Sequence, residues 1–412
     1  MIESLFKQRS TLARLQSGPL AQHLPFIAEA LHQEQYPPET VRRYVRVADG
    51  FGRWLCKHGL SITETDETTL ASYRASTGRQ KGQLRAAGRG LAKVLALLRK
   101  QHAVGEPVRV ADSEGDTLVT AFDSPLQHVA GLMPGTRSQY LRYAKLFVKA
   151  VVGTVSLDIA KVTPQAITDF VRARAAKLKP SACAAPATGL RVFLRFLVTC
   201  RGPPAGVIGA VPTIRQWKLA SLPKHLSVDE VDRTLATCDE ESPAGKRDRA
   251  ILLLLLRLAL RAGEVARLRL SDVDWGEGEI RIHSAKSARE RKLPLPSDVG
   301  QALAEYLRNS RPTSAQPYVF LRTRAPFSPI TGCSTVSCIA KRHLKLAGIS
   351  IRGLSAHAFR HTAATRMVRR GASFKQVADV LGHRLLETTN IYAKLDEDRL
   401  HRVALPWPGG QA

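Results

Sequence analysis

Acidic residues are scarce in this chain: 35 Asp and Glu stand against 62 Lys and Arg, a net charge of +27 over 412 residues. A chain so short of negative charge takes its counter-charge from elsewhere, and nucleic acid phosphate is the commonest source. Long apolar runs are missing as well. The longest, Ala250 to Leu256, is broken by Arg257 and is far too short to span a bilayer. The opening Met1-Ile-Glu-Ser-Leu-Phe-Lys-Gln-Arg-Ser carries an early acid and no extended apolar core, so it makes a poor secretory signal. No amphipathic anchor or lipid site is evident, which argues against a membrane partner. Cysteines number six and form no CxxC pair; they are expected as reduced core residues of a cytoplasmic protein. Cys333 and Cys338 lack further ligands for a metal. There is no GxxxxGK[ST] loop for nucleotide phosphates.

What is present suffices for a folded protein of two to four domains, with hydrophobic residues at 44%. The first half reads as helix and repeats itself. Thr40, Tyr44, Arg46, Ala48 and Phe51 recur as Thr136, Tyr140, Arg142, Ala144 and Phe147, an offset of 96. Gly90-Leu91, Leu95 and Leu98 recur as Gly189-Leu190, Leu194 and Leu197, an offset of 99. This is the pattern of a duplication with small insertions, although two amphipathic basic helices can also share such residues. Tyr140, Ala144 and Phe147 form one apolar stripe. Thr163-Pro164 opens a helix, and Leu190, Phe193, Leu194 and Leu197 face a third that Gly202 to Gly206 ends. Residues 206–224 read as a linker.

The pattern changes from Ser227. Ser227-Val-Asp-Glu230 is a capping box. A helix from Ser242-Pro243 is expected to include the run Ile251 to Leu260, buried on all sides. Glu279–His283 and Arg291–Leu295 alternate as two strands of a hairpin with Lys286 at its tip, and Tyr318–Leu321 is a candidate third strand. Beyond Gly332 the pattern is helical to Leu400, followed by an irregular tail, 406–412. The fold class is therefore mainly α with a small β-sheet.

Near the C-terminus lie His357, Arg360, His361, His383 and Tyr392. Together they suit attack of a tyrosine oxygen on a phosphodiester. The pentavalent transition state gains negative charge, so a metal-free site must supply cations already in place. Arginine does so with a planar fork that holds two phosphate oxygens. The phenol must lose its proton, from a free pKa of ~10. The departing sugar oxygen must gain one, and an ammonium can give it.

These residues resemble the tyrosine recombinases, the phage-integrase family. The matching text is Arg261-Ala-Gly-Glu264, Lys286 in its hairpin, His357-x-x-Arg360, Leu381-Gly-His383, Thr388-Thr389 and Tyr392. The likeness covers about Leu226 to Leu405, and the stretch from about Ser124 to Arg201 resembles the family's helical core-binding (SAM-like) domain. It implies a catalytic domain over 225–405, a core-binding domain over 120–205 and an extra N-terminal helical module over 1–112, a possible second copy of that domain. It also implies that Tyr392 forms a 3′-phosphotyrosyl bond, Arg261 and Arg360 clamp the non-bridging oxygens, and Lys286 protonates the 5′-hydroxyl. His357 handles a proton, His383 bonds the phosphate and Glu264 braces the site. Arg257 and Lys292 are the alternatives to Arg261 and Lys286, and His361 and Arg366 read as supporting or phosphate-contacting residues. Here Leu258-Ala-Leu-Arg261 replaces the family's Thr-Gly-Leu-Arg, and Ala285 replaces a glycine, which puts the local backbone shape in question. Arg42, Arg43, Arg46, Arg137, Arg142 and Lys145 are the candidate DNA contacts. The implied partner is double-stranded DNA with inverted repeats, bound by a tetramer of this chain or of sibling recombinases, in the bacterial nucleoid. No cofactor or metal is implied. A type IB topoisomerase-like enzyme and a catalytically silent DNA-binding protein are the competing readings.

Overall fold

The computed structural model describes residues 1–63, 65, 67–76, 81–105, 113–154, 156–179, 182–202, 205–214, 224–283, 290–330, 332–349, 355–383, 388–389 and 391–392. Among them the chain is mainly helical with one three-stranded sheet. It divides into two compact units, one built from 1–107 with 221–412, the other from 108–220.

The first stretch of the first unit holds α1 (Ile2–Leu5), α2 (Arg9–Gln16), α3 (Leu24–Gln33), α4 (Pro38–Lys57), α5 (Glu67–Ser76) and α6 (Lys81–Lys100). Proline opens α4, where its missing N–H costs nothing. Val41, Val45, Ala48, Phe51 and Leu55 then recur at helical spacing and are buried against Leu91, Val94, Leu95 and Leu98 of α6. On the outer side, the Arg42 guanidinium donates to the Leu5 carbonyl at 3.4 Å, and that of Arg46 lies 5.6 Å from the Phe6 ring centre. Arg43 stacks over Tyr44.

The second unit holds α7 (Glu114–His128), α8 (Pro134–Phe147), α9 (Pro164–Ala175) and α10 (Ala184–Arg201). One internal contact of the first stretch recurs inside this unit. A Cβ on Gly90 would lie 3.2 Å from Tyr44 and 3.7 Å from Val47; one on Gly189 would lie 3.4 Å from Tyr140 and 3.1 Å from Tyr143. These are the repeat-related positions, and at each a glycine lets one helix approach an aromatic of another. Ala48 and Phe51, like Ala144 and Phe147, are fully buried. Arg137 is gripped by Asp123 through two bonds of 2.8 and 2.6 Å, and Lys145 pairs with Asp116 at 2.7 Å. Their charge is set against acids rather than left open to phosphate, whereas Arg142 is exposed. The expected linker is only partly one. Val207 and Val211 are buried with this unit's core, and Arg191 donates to the carbonyls of Val211 and Pro212.

The first unit's second stretch begins with α11 (Val228–Ala236), opened by the Ser227–Glu230 capping box. α12 (Pro243–Arg257) carries Ala250 to Leu256, every residue buried. At about 2 kcal/mol for each fully buried aliphatic side chain, this helix anchors the domain. It stops at Arg257, earlier than the expected Leu260. Ala259 has φ +50°, a left-handed conformation that no helix continues through. α13 (Ala262–Arg267) follows, then β1 (Val273–Asp274), β2 (Glu279–His283) and β3 (Glu290–Pro294), an antiparallel meander with Ile280 opposite Leu293 and Ile282 opposite Arg291. Lys286 lies outside the described residues. Tyr318–Leu321 is not a strand of this sheet. It makes isolated bridges to Arg269 and Pro329, because its neighbours are irregular segments and not a strand edge. α14 (Ser297–Asn309), α15 (Cys333–Leu346), α16 (Ala356–Arg369) and α17 (Phe374–Leu381) complete the stretch.

The cysteines depart from expectation. All are free, but only Cys238 is buried, while Cys56, Cys200, Cys333 and Cys338 are exposed. On α15 the buried positions are Val336, Ile339, Ala340, His343 and Leu344, and both cysteines fall off that face. No described helix is long and apolar enough to cross a membrane.

Candidate active site

The site forms where the α12–α13 link meets the end of α17. α17 closes on Gly382 at φ +61°, a conformation that glycine adopts without strain. A side chain there would also collide with Arg291, whose Nη1 lies 2.8 Å from the place of a Cβ. The last carbonyls of a helix carry partial negative charge and attract cations. Two guanidiniums answer. Arg360 on α16 donates Nη2 to the Leu381 carbonyl at 2.6 Å and Nη1 to the Ala259 carbonyl, and Arg261 donates Nη2 to Gly382 at 3.1 Å. The left-handed Ala259 turns its carbonyl to meet Arg360, so the alanine keeps the backbone shape in question.

Glu264 is the buried counter-charge. It accepts the Arg261 backbone N–H at 2.8 Å and Nη1 at 3.0 Å, and both Nη atoms of Arg291 at 3.2 and 2.9 Å. Burial pushes its carboxyl up, but the Arg291 bonds and charge, with those of Arg261, outweigh this and hold it below the ordinary range. Two arginines thus share one carboxylate, and Arg360 feels its charge without bonding it. Arg360, 4% exposed, is pushed down to about 10 by burial and then by Arg261 beside it. It stays charged at neutral pH, in a site with more positive charge than its own acids neutralise.

Tyr392 is 2% exposed and packs with Ala259, Ala363, Val368, Val377 and Leu381. Its hydroxyl makes a 2.9 Å hydrogen bond with Nδ1 of His361. Burial raises its pKa above the ordinary phenol value, while Arg360 and Arg261 pull it back. His383 Nδ1 bonds the Thr389 hydroxyl at 2.8 Å. Burial, then Arg360 and Arg261, push His383 down to about 4; burial, then His357 and Arg360, do the same to His361. His357 is exposed on α16, its ring centre 6.5 Å from that of His361.

The structure therefore gathers Arg261, Glu264, Arg360, His383 and Tyr392, with His357 at the margin. Arg257 lies apart in an ion pair with Asp298 at 2.6 Å, and Lys292 pairs with Glu279 at 3.2 Å. Arg291, the bond from Thr389 to His383 and the His361–Tyr392 bond were not expected. A basic residue in a half-buried strand was the available signal for Arg291; the bond to Tyr392 follows from helix packing, which residue spacing does not encode. Among the described residues, no group of three or more His, Cys, Asp or Glu side chains is placed to hold a metal.

Residues 224–399 match the phage integrase family. The chain is 35% identical over 400 residues to y4rA of Sinorhizobium fredii, a protein named as an integrase/recombinase, covering 97% of each. It is 30% identical over 291 residues to the tyrosine recombinase XerC of Pelobacter propionicus, covering 69% of this chain and 93% of that one. Its fold is similar to that of a lambda integrase dimer bound to a COC′ core site, with TM-score 0.54, 16% identity and coverage of 72% and 98%. It is also similar to that of the Tn1549 transposon integrase in complex with right-end DNA, with TM-score 0.52, 16% identity and coverage of 69% and 99%. The chain belongs to the phage integrase family of tyrosine site-specific recombinases.

Proposed function

We propose that this recombinase cuts and rejoins double-stranded DNA for a mobile element, with Tyr392 as the nucleophile. The supporting observation is the charge imbalance around Tyr392: Arg261, Arg291 and Arg360 face one carboxylate, Glu264. A phosphodiester relieves that imbalance, and its transition state, being more negative, relieves it further. Tyr392 attacks the phosphorus, the 3′-phosphotyrosyl bond forms and the 5′ oxygen departs. Arg261 and Arg360 clamp the non-bridging oxygens. His383, aimed by Thr389, bonds one of them, and His357 handles a proton. Lys286 is assigned by resemblance as the acid for the leaving oxygen. Glu264 fixes both Arg261 and Arg291. The phosphotyrosyl bond conserves the energy of the broken one, so rejoining needs no nucleotide.

In this reading the chain has two helical DNA-gripping modules, 1–112 and 120–205, and a catalytic domain, 225–405. The shared Tyr44–Gly90 and Tyr140–Gly189 contacts support the first module as a copy of the second. Arg43 and Arg142 are the better-placed phosphate contacts, since Arg137 and Lys145 already hold acids. Exchange takes place in a tetramer on paired inverted repeats, of this chain or with siblings. A strand-exchange assay on two differently marked sites from the flanking DNA tests the proposal. Recombinant joints are expected; supercoil relaxation without joints contradicts it.

A further inference from the structure

The site brings one group to Tyr392 that the assigned roles leave idle. The hydroxyl of Tyr392 meets Nδ1 of His361 at 2.9 Å, and this is the hydroxyl that must lose a proton. His361 stands one residue beyond Arg360 on α16, so the element that fixes the phosphate clamp also fixes this imidazole. The two ring centres lie 5.7 Å apart with their planes inclined at 55°. We propose that His361, neutral with its proton on Nε2, accepts the phenolic proton of Tyr392 during attack. The inference rests on the assignment of Tyr392 as nucleophile.

The step balances. As the Tyr392 oxygen–phosphorus bond forms, the phosphorus–O5′ bond breaks. The phenolic proton moves to Nδ1 of His361, and the departing 5′ oxygen is protonated by a separate acid. Rejoining reverses each transfer.

The charged and titratable groups around His361 are His357 and Arg360 on its own helix, His225 ahead of α11, His383 beyond α17 and Tyr392 itself. In the free protein burial, then His357, Arg360 and His225, push His361 down to about 4, so at neutral pH the ring is uncharged and able to accept. A bound phosphodiester neutralises part of the arginine charge, which raises the affinity of the ring for a proton when DNA is present. A base matched to the working pH is the most effective kind.

The test is covalent-adduct formation on nicked suicide DNA, followed from pH 5 to 9 with the full-length wild type, His361→Gln, His361→Asn and Tyr392→Phe. DNA binding and thermal unfolding are measured for each to confirm folding. His361→Gln and His361→Asn are expected to lower the rate at pH 7 by about 100-fold, the usual scale for a general base. Their rates should then climb roughly tenfold per pH unit, as the phenolate fraction does below its own pKa, where the wild type levels off. A second substrate with sulfur in place of the bridging 5′ oxygen needs no leaving-group proton. It should rescue Lys286→Ala and leave His361→Gln slow.

Asn offers an amide near Nδ1 but cannot take a proton. If His361→Asn keeps the wild-type rate and pH profile, the hydrogen bond only positions the ring and the inference is overturned. A rate increase in either variant also overturns it, because the bond would then restrain the phenol. If Tyr392→Phe still forms an adduct, the assignment of the nucleophile fails first. If Tyr392→Phe forms none and His361→Gln matches wild type, only the present inference fails.

Discussion

Glu264 decides how far the arginine charge can be concentrated. It is 5% exposed and bonded to both Arg261 and Arg291. Removing one partner of a buried charge group leaves the others uncompensated, at a cost of about 3 kcal/mol. Glu264→Gln is therefore expected to lower the unfolding free energy by about that amount, read from denaturant titration. The pH dependence has a definite sign. The folded-state pKa of Glu264 is depressed, so its contribution is present above the unfolded value and lost as pH falls through the folded one. His361 and His383 act higher on the scale. Both are held to about 4 in the folded chain, while the unfolded chain takes up their protons near ~6.5. Wild-type stability should decline from roughly pH 6.5 downward, and Glu264→Gln should lose only the lowest part of that decline. At this scale the sequence was legible where chemistry dictates residue type. The arginines, histidines and tyrosine are scarce functional groups at recognisable intervals. The place of Arg291 and the contacts of Thr389 and His361 were not legible, because they depend on where a strand and two helix ends meet in space.

Helix starts were the most readable elements, because caps are local. Ser227 with Glu230, Ser242 with Pro243, and Thr163 with Pro164 each open the helix expected of them. Ends were less readable. The apolar run to Leu260 continues past the helix because Leu258, Ala259 and Leu260 stay buried after the backbone turns left-handed. The Tyr318–Leu321 segment is as apolar as a strand and buries Val319, Phe320 and Leu321, but it has no strand edge to join. The repeat is an element-scale feature with a test of its own. Gly90 and Gly189 each allow a close helix contact with a tyrosine. Gly90→Leu and Gly189→Leu should each overpack that contact and cost about 2 kcal/mol. Pairing Gly90→Leu with Tyr44→Ala, and Gly189→Leu with Tyr140→Ala, should restore part of the loss, with a coupling of about 1 kcal/mol in each cycle from thermal melts. Matching couplings in both cycles are expected if the two modules share one packing plan.

Across the whole molecule the dominant fact is the charge of +27. It predicts binding to DNA governed by release of counterions. If on the order of ten phosphates are engaged, log K should fall against log salt with a slope of about −9. Arg43→Ala and Arg142→Ala should each reduce that slope by about one unit without changing site preference. A filter-binding titration over several salt concentrations measures both. That Ala144, Phe147, Leu190, Phe193, Leu194 and Leu197 are buried was readable from apolar spacing. Which basic residues are already committed to acids, as Arg137 is to Asp123, was not, since ion pairing depends on a helix neighbour 14 residues away.

The central claim is that one phenol, surrounded by shared arginine charge, becomes covalently joined to DNA. The direct measurement is to trap the adduct on a nicked suicide site, digest the protein and identify the modified residue by mass spectrometry. The account predicts a nucleotide 3′-phosphate on Tyr392 in wild type and no adduct in Tyr392→Phe. An adduct on any other residue, or an undiminished adduct in Tyr392→Phe, contradicts it.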